Sequence, residues 1–219
     1  MDKKFVVTGV FLVVLLAGYF TAKSLYQQDT QKEYRFLATK QAELFVRDHS
    51  PRLGKEDAPV YLVEFLDPEC ESCRAFYPHV KRILDQVPDV QLVVRYAPFH
   101  GNSEFAVKLL EASRMQGKYW QALEAFFARQ PEWGDHHHPR PELLWGILEG
   151  VGVDVEKVRK DMHEPSIAKI IEQDKKDLKE LNVRRTPTFF VNGVPLMDFG
   201  YQPLLDLVKA EREKAVATR

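Results

Sequence analysis

The sequence predicts an α/β fold in which a helical block interrupts a sheet, with an apolar helix ahead of it. Three observations carry that expectation. An uncharged run from Phe5 to Ala22 precedes a polar stretch, an apolar run of strand length at 59–66 passes through a helix-periodic segment into a second one at 90–96, and strand character returns only at 188–197. The 219 residues carry 31 Lys+Arg against 32 Asp+Glu, a net charge of −1, and are 45% hydrophobic. That composition excludes collagen-like, disordered and polytopic membrane classes, and it offers no basic field for nucleic acid. The length accommodates one domain of roughly 150–200 residues plus an appendage.

The appendage comes first. At ~1.5 Å per residue, Phe5–Ala22 spans about 27 Å, close to the ~30 Å hydrocarbon core of a bilayer. Lys3 and Lys4 precede it as the n-region of a signal peptide would, but the exit at Tyr19, Phe20 and Thr21 lacks the small residues of a cleavage site. Residues 1–22 are therefore expected to be a short tail and an uncleaved single-pass anchor. Basic residues lie on both sides, with Lys23, Lys32, Arg35 and Lys40 beyond the span, so the positive-inside rule says little about orientation. Residues 23–50 read as a helical stalk with Tyr34, Leu37, Leu44 and Phe45 on one narrow apolar stripe. The simpler reading docks that stripe on the chain's own domain; the alternative is a coiled-coil seam. Ser50-Pro51-Arg52-Leu53-Gly54 breaks the helix, and the folded domain is expected over 51–215.

Within that domain, Pro59–Leu66 is almost continuously apolar, as a strand covered on both faces would be. It feeds Asp67-Pro68-Glu69-Cys70-Glu71-Ser72-Cys73, after which Phe76, Tyr77, Val80, Ile83 and Leu84 recur at helical spacing. Val90–Tyr96 completes a βαβ unit. A helical insertion follows over approximately 102–182, broken at Gly117, between Pro131 and Pro141, around Gly150–Gly152 and at Pro165. Thr188–Val191 and Val194–Met197 flank Asn192-Gly193, the signature of a two-residue hairpin turn, and Leu204, Leu205 and Val208 mark a last amphipathic helix.

The two cysteines of the chain stand three apart, so they act as a pair rather than as a disulfide framework. Cys70 falls where a strand turns into a helix, the place where active sites of α/β sheets gather. There the unpaired N–H groups and the positive end of the helix dipole favour a thiolate, which makes Cys70 the nucleophile. Residues three apart on a helix have Cβ atoms ~5–6 Å apart, and modest distortion brings them within disulfide reach. Cys73 is then placed to attack a mixed disulfide at Cys70 and release the partner.

The run Ala58-Pro59-Val60-Tyr61-Leu62-Val63-Glu64-Phe65-Leu66-Asp67-Pro68-Glu69-Cys70-Glu71-Ser72-Cys73, with Arg184-Arg185-Thr186-Pro187-Thr188-Phe189-Phe190-Val191-Asn192-Gly193 further on, resembles the DsbA-type branch of the thioredoxin superfamily. Ala97-Pro98-Phe99-His100, Gly117-Lys118-Tyr119-Trp120 and the helical block are similar to it as well, so the resemblance covers about residues 51–210. It implies a thioredoxin fold with an inserted helical domain, preceded here by the transmembrane helix, working on protein thiols outside the cytoplasm. It further implies that Pro187 is a cis-proline packed against the cysteines and that Thr186 offers its backbone to a substrate strand. On the same basis Glu64, an expensive carboxylate inside an apolar strand, matches the family's buried acid, which exchanges a proton with Cys73; the alternative is a partly exposed strand-end carboxylate.

The dipeptide Glu71-Ser72 departs from the Pro-His of the strongly oxidising member. A carboxylate beside the nucleophile opposes the thiolate and an imidazolium donor is missing from the pair, so an intermediate redox poise is expected. Asp67, Glu69 and Glu71 are expected to make one rim of the site acidic, and Arg184 and Arg185 to meet acidic groups of a substrate peptide at the other, or to be a solvated pair. His136-His137-His138 lacks the convergent spacing of a metal site, and no resident metal is expected; His100 reads as a loop cap and His79 as a surface helix residue.

The expected activity is thus that of a thiol–disulfide oxidoreductase using its own cysteine pair and no diffusible cofactor, with the oxidase direction favoured. Its expected partners are cysteine-containing extracytoplasmic proteins and a membrane redox partner, either a quinone-linked oxidase or a thiol-reductant donor. The resemblance implies a place on the bacterial cytoplasmic membrane, with the domain facing the periplasm or extracytoplasmic space. The alternatives are a reductase or isomerase of the same fold, and a carrier that binds copper or zinc through the two cysteines without redox turnover.

Overall fold

A computed structural model of the chain describes residues 3–135 and 137–217. Its centre is a five-stranded mixed sheet formed by β1 (Arg52–Leu53), β2 (Val60–Leu66), β3 (Val90–Tyr96), β4 (Thr188–Val191) and β5 (Val194–Pro195), in the order β1-β3-β2-β4-β5. β2 and β3 run parallel in register from Val60↔Val90 to Leu66↔Tyr96, and the other pairings are antiparallel.

The near-continuous apolar character of β2 and β3 follows from burial on both faces, since successive side chains point to opposite sides. Val60, Leu62 and Leu66 join the larger cluster, with Leu92, Val94 and Tyr96 of β3. Val63 and Phe65 join a second one with Val93 and Phe190. Glu64 shares the parity of Leu62 and Leu66, so its carboxylate enters the larger cluster, the one that holds Cys73.

Helix α2 (Glu71–Gln86) connects β2 to β3 and buries Cys73, Phe76, Tyr77, Val80 and Ile83 on that face. The interval after β3 contains α3 (Ser103–Arg114), α4 (Tyr119–Ala128), α5 (Gln130–Trp133), α6 (Leu143–Gly150), α7 (Val155–Asp161) and α8 (Pro165–Glu180). The breaks between them fall where the sequence places them, at Gly117, between Pro131 and Pro141, at Gly152 and at Pro165. Their apolar faces meet around Leu109, Leu123, Phe126, Trp133, Leu144 and Ile167, all fully buried, and the Trp133 indole donates to the Phe126 carbonyl at 2.9 Å. The hairpin turn at Asn192-Gly193 has φ of 48° and 79°, the left-handed pair its residue types favour. Helix α9 (Tyr201–Ala217) closes the chain against the sheet with Leu204, Leu205 and Val208 buried.

Two elements differ from the sequence reading. The segment expected only to break a helix also contributes β1, an antiparallel strand on the outer edge of β3. It turns there at Gly54, where φ is 114° and a Cβ would stand 2.6 Å from the Val90 carbonyl oxygen. Strand β5 is shorter than expected: Leu196 still donates its N–H to the Phe189 carbonyl at 3.0 Å, but the chain leaves the ladder there.

The stalk and the apolar run form one helix, α1 (Lys3–Lys40), followed by a 3₁₀ turn at Ala42–Leu44. The side chains from Phe11 to Leu16, and Tyr19 and Phe20, are exposed. Part of the expected span, the side chains of Phe5–Val7, Gly9 and Val10, lies outside the described ones, and among the described residues no helix is long and apolar enough to cross a membrane. Further along, the stripe docks on the domain itself: Tyr34, Leu37 and Ala38 pack on the second cluster, with the Tyr34 and Phe190 rings 5.3 Å apart. Arg35 adds a bidentate bond to Glu211 of α9 at 2.6 and 3.1 Å.

A buried ionic network ties this N-terminal segment to the insertion. Arg95 of β3, fully buried, donates to Asp174 and Asp177 of α8 and to the Leu44 carbonyl. Arg47 donates to both oxygens of Asp177 at 2.7 and 2.8 Å, sharing Oδ2 with Arg95, and His49 lies 2.8 Å from Asp174.

Candidate active site

Cys70 is the N-cap of α2, with extended backbone at φ −74° and ψ 118°. Its sulfur accepts from the N–H of Cys73 at 3.4 Å, which satisfies one of the helix's free donors, and its thiol donates to the carbonyl of Thr186 at 3.4 Å. The Thr186–Pro187 peptide is cis and Pro187 is buried beside the pair. Both cysteines are free thiols; Cys70 is 6% exposed and Cys73 not at all.

The loop that carries Cys70 is held from below by two carboxylates. Asp67 accepts from the N–H of Glu69 at 2.9 Å, from the hydroxyl of Ser103, and from the N–H groups of Phe99 and His100 at 2.8 and 3.2 Å. The same carboxylate lies 2.7 Å from Nδ1 of His100. Glu69 takes the N–H and side-chain amide of Asn102 at 2.7 and 2.9 Å. The Gln130 amide donates to the Pro68 carbonyl at 2.8 Å. Asp67 and Glu69 therefore do not form an acidic rim: both are buried, because their oxygens serve the loop's backbone, and Glu71 alone of the three is exposed.

This arrangement separates the two thiols electrostatically. Hydrogen bonding with the Cys73 side chain, opposed by burial and aided by the Thr186 side chain and the N–H groups of Cys73 and Ser72, brings the Cys70 pKa down to about 6. Those bonds outweigh whatever repulsion the exposed Glu71 adds. Burial drives Cys73 well above the ordinary thiol range, with its bond to Cys70 and the nearby charge of Glu64 acting the same way. Burial likewise pushes Glu64 up to about 8, with the charge of Cys70 behind it. Glu64 is fully buried, and neither of its oxygens has a hydrogen-bond partner among the described residues. It is thus a deep carboxyl in its neutral form over much of the physiological range, and the partly exposed alternative does not describe it.

Burial lowers the His100 pKa, but the bond to Asp67 and the charges of Asp67 and Cys70 more than offset it, leaving it raised. An imidazole absent from the Cys-Glu-Ser-Cys pair thus stands within electrostatic range of Cys70 from the loop after β3. The sequence shows His100 but not this placement, since the partnership depends on the two loops meeting at the strand ends.

The remaining site residues line a groove of about 590 Å³ beside the pair. It is bounded by Ser72, Arg184, Arg185, Thr186, Met197 and Phe199 among others. Both arginines are exposed, and Arg184 donates to the Asn182 side chain at 2.7 Å. Phe199, 56% exposed, rests on Phe76 with ring centroids 4.6 Å apart; sequence periodicity gave no sign of it, because it stands in a loop. His79 is half-buried between the rings of Phe76 and Tyr201 rather than a free surface residue. Of the three adjacent histidines, His136 lies outside the described residues, and the N–H groups of His137 and His138 donate to Asp135. Among the described residues no group of three or more His, Cys, Asp or Glu side chains could hold a metal ion.

Comparison with known proteins agrees with this geometry. Residues 47–209 match the protein family described as Thioredoxin. A Bacillus cereus protein named probable disulfide bond formation protein D is 31% identical over 159 residues, covering 69% of this chain and 74% of that one. Disulfide bond formation protein D of Bacillus subtilis is 26% identical over 170 residues, covering 74% and 76%. The Na(+)/H(+) antiporter NhaA of Herminiimonas arsenicoxydans is 33% identical over 145 residues, and there the chain spans only 22% of the relative's length. Among solved structures, a thioredoxin-like oxidoreductase from Silicibacter pomeroyi superposes with a TM-score of 0.70 at 30% identity, over 79% of this chain and 98% of that one. Oxidised BdbD from Bacillus subtilis gives a TM-score of 0.68 at 26% identity, over 77% and 95%.

Proposed function

The chain belongs to the thioredoxin family, on the DsbA-type branch that includes the disulfide bond formation proteins, and from that premise we propose that it is a thiol–disulfide oxidoreductase of extracytoplasmic proteins. The observation that carries this reading is the unequal pair: an N-capping Cys70 bonded to Thr186, with a pKa of about 6, above a fully buried Cys73 and a neutral Glu64.

In the oxidase direction a client thiolate attacks Cys70 of the Cys70–Cys73 disulfide. The S–S bond breaks, its electron pair goes to Cys73, and Glu64 supplies the proton that a buried thiolate needs. A second client thiolate attacks the client sulfur of the mixed disulfide and expels Cys70, which leaves readily as a thiolate. The client gains a disulfide and the pair carries away two electrons, which a quinone-linked membrane oxidase would remove. Run in reverse, with a thiol-reductant donor, the same steps make a reductase or isomerase. The depressed Cys70 pKa stabilises the reduced form and so favours the oxidase direction. Phe5–Ala22 would anchor the chain in the bacterial cytoplasmic membrane with the domain outside, and Arg184, Arg185 and the Thr186 backbone would hold the client strand.

The test is stoichiometric. Oxidised protein mixed with reduced, unfolded ribonuclease should form one client disulfide for each Cys70–Cys73 pair reduced, and ribonuclease activity should return. Ribonuclease that stays fully reduced while the pair binds Cu(I) or Zn tightly would replace this reading with that of a metal carrier.

A further inference from the structure

The groove beside Cys70 is not completed by the sheet and α2. Its far end is formed by Thr30 and Tyr34 of α1. The same helix grips both lips. At one lip, Lys23 Nζ and Gln27 Nε2 donate to the two carboxylate oxygens of Asp198 at 3.0 and 3.1 Å, and Asp198 stands between Met197 and Phe199, which both line the groove. At the other, the Tyr34 hydroxyl donates to the Leu181 carbonyl at 2.7 Å, where the segment bearing Arg184 and Arg185 begins. One turn beyond the second grip α1 covers the edge of the sheet so closely that a Cβ on Gly193 would stand 2.1 Å from the Cβ of Ala38, at a φ of 79°.

On the reading that Cys70 exchanges with client thiols, we infer that α1 is part of the client site: it walls the groove and sets the separation of its lips, with Asp198 as a positioning residue. The groove's charged lining consists of Arg184 and Arg185, and Met197 and Phe199 give it an apolar side. Charge complementarity therefore assigns as occupant an extended segment with an acidic side chain a few residues from its cysteine, carboxylate toward the guanidinium groups and an apolar neighbour on Phe199. Thr30 lies eight residues beyond Ala22, about 12 Å along the helix at ~1.5 Å per residue. The helix that carries the apolar run is thus the helix that helps recognise the client.

The experiment uses the full chain in detergent and single-cysteine peptides carried as disulfides with a reporter thiol: a long acidic peptide, the same peptide with lysine in place of the acid, and a short one ending at the cysteine. Wild-type protein should show a lower KM for the long acidic peptide than for its lysine counterpart. Thr30→Trp, which fills the far end from a half-buried position on α1, should raise KM for the long peptide and leave the long-to-short preference lost. Asp198→Ala should raise KM for the long acidic peptide on the order of threefold, the scale of an exposed ion pair, and Asp198→Glu should restore most of it. Wild-type protein that exchanges with dithiothreitol yet treats acidic and lysine peptides alike would overturn the acidic occupant, and variants with an unaltered long-to-short preference would overturn the role of α1. Wild-type protein that does not exchange even with dithiothreitol would overturn the function on which that role rests.

Discussion

The thiol of Cys70 meets the carbonyl oxygen of Thr186 at 3.4 Å, across 116 residues of chain. That contact joins the two halves of the motif: the loop between β2 and α2 supplies the sulfur, and the loop ahead of β4 supplies the backbone that a client strand would use. Because β2 and β4 are hydrogen-bonded neighbours, with Phe65 opposite Thr188, their ends bring both loops to one place.

From that placement follows a division of labour. Cys73→Ser should accumulate mixed disulfides between Cys70 and client proteins, because no second thiol is left to resolve them, and Cys70→Ser should accumulate none. In the reduced protein Cys70 should be alkylated far faster than Cys73 near neutral pH. Equal rates would remove the distinction between nucleophile and resolving thiol.

The ion network beneath the sheet predicts a stability effect remote from the chemistry. Arg95→Ala would leave Asp174, 1% exposed, without its main cation and break the tie to Leu44. Removing one member of a buried pair costs about 3–5 kcal/mol, so unfolding should move to much lower urea while the Cys70 pKa stays put. A loss below about 1 kcal/mol would mean that Arg47 and solvent take over the charge.

How much of this was legible beforehand depended on whether a feature is local. The strand-to-helix turn at Cys70, the breaks in the helical insertion and the Asn192-Gly193 turn are short-range signals carried by periodicity, Gly and Pro. The short strand at Arg52–Leu53 was not legible, since two residues carry no alternation and the pairing partner lies beyond Gln86. Asp67 and Glu69 were placed on the surface because carboxylates usually are. Their burial follows from Asn102, Ser103 and His100 arriving from another loop, which no spacing encodes. The grip of α1 on Asp198 is of the same kind, as it joins residues 175 apart.

The anchor can be tested by fractionation. The protein should stay in the membrane fraction through a salt or carbonate wash, and protease added from outside should digest the domain and leave the Phe5–Ala22 segment protected. A soluble chain beginning near Lys23 would mean that the segment is a cleaved signal.

Glu64 predicts a pH dependence whose sign can be worked out. Its pKa is about 8 in the folded protein against an ordinary 4.5, so between those values the native state binds the extra proton and stability falls as pH rises, by at most about 1.4 kcal/mol per unit. Cys70 acts oppositely in the reduced form, since its pKa of about 6 lies below the ordinary 9.0, and stability rises with pH between them. In the reduced protein these two groups together therefore contribute a fall in stability from about pH 4.5 to 6 and largely cancel from there to about 8. Glu64→Gln should remove Glu64's share of that fall in a pH series of urea unfolding curves, and it should slow release of Cys73 from the disulfide by on the order of 10². A variant that keeps the wild-type pH profile would show that Glu64 does not titrate in this window.

The dipeptide between the cysteines sets the last expectation. Glu71 is the first residue of α2, where proline is well tolerated because its N–H is not needed; the Ser72 N–H already favours the Cys70 thiolate and a histidine there would keep that donor. Changing Glu71-Ser72 to Pro-His thus removes a like charge and adds an imidazolium without disturbing the bonds from Cys73 and Thr186. The Cys70 pKa should fall below about 6. Because a stabilised thiolate favours the reduced pair, the reduction potential should rise with it, about 30 mV for every 1.4 kcal/mol of added stabilisation. Thiolate absorbance against pH gives the first quantity and equilibration with a glutathione buffer the second. If both stay where they are, the poise of this pair is set instead by the contacts the swap leaves intact, Thr186 and the Asp67–His100 pair, and His100→Ala is then the substitution that should move the potential downward.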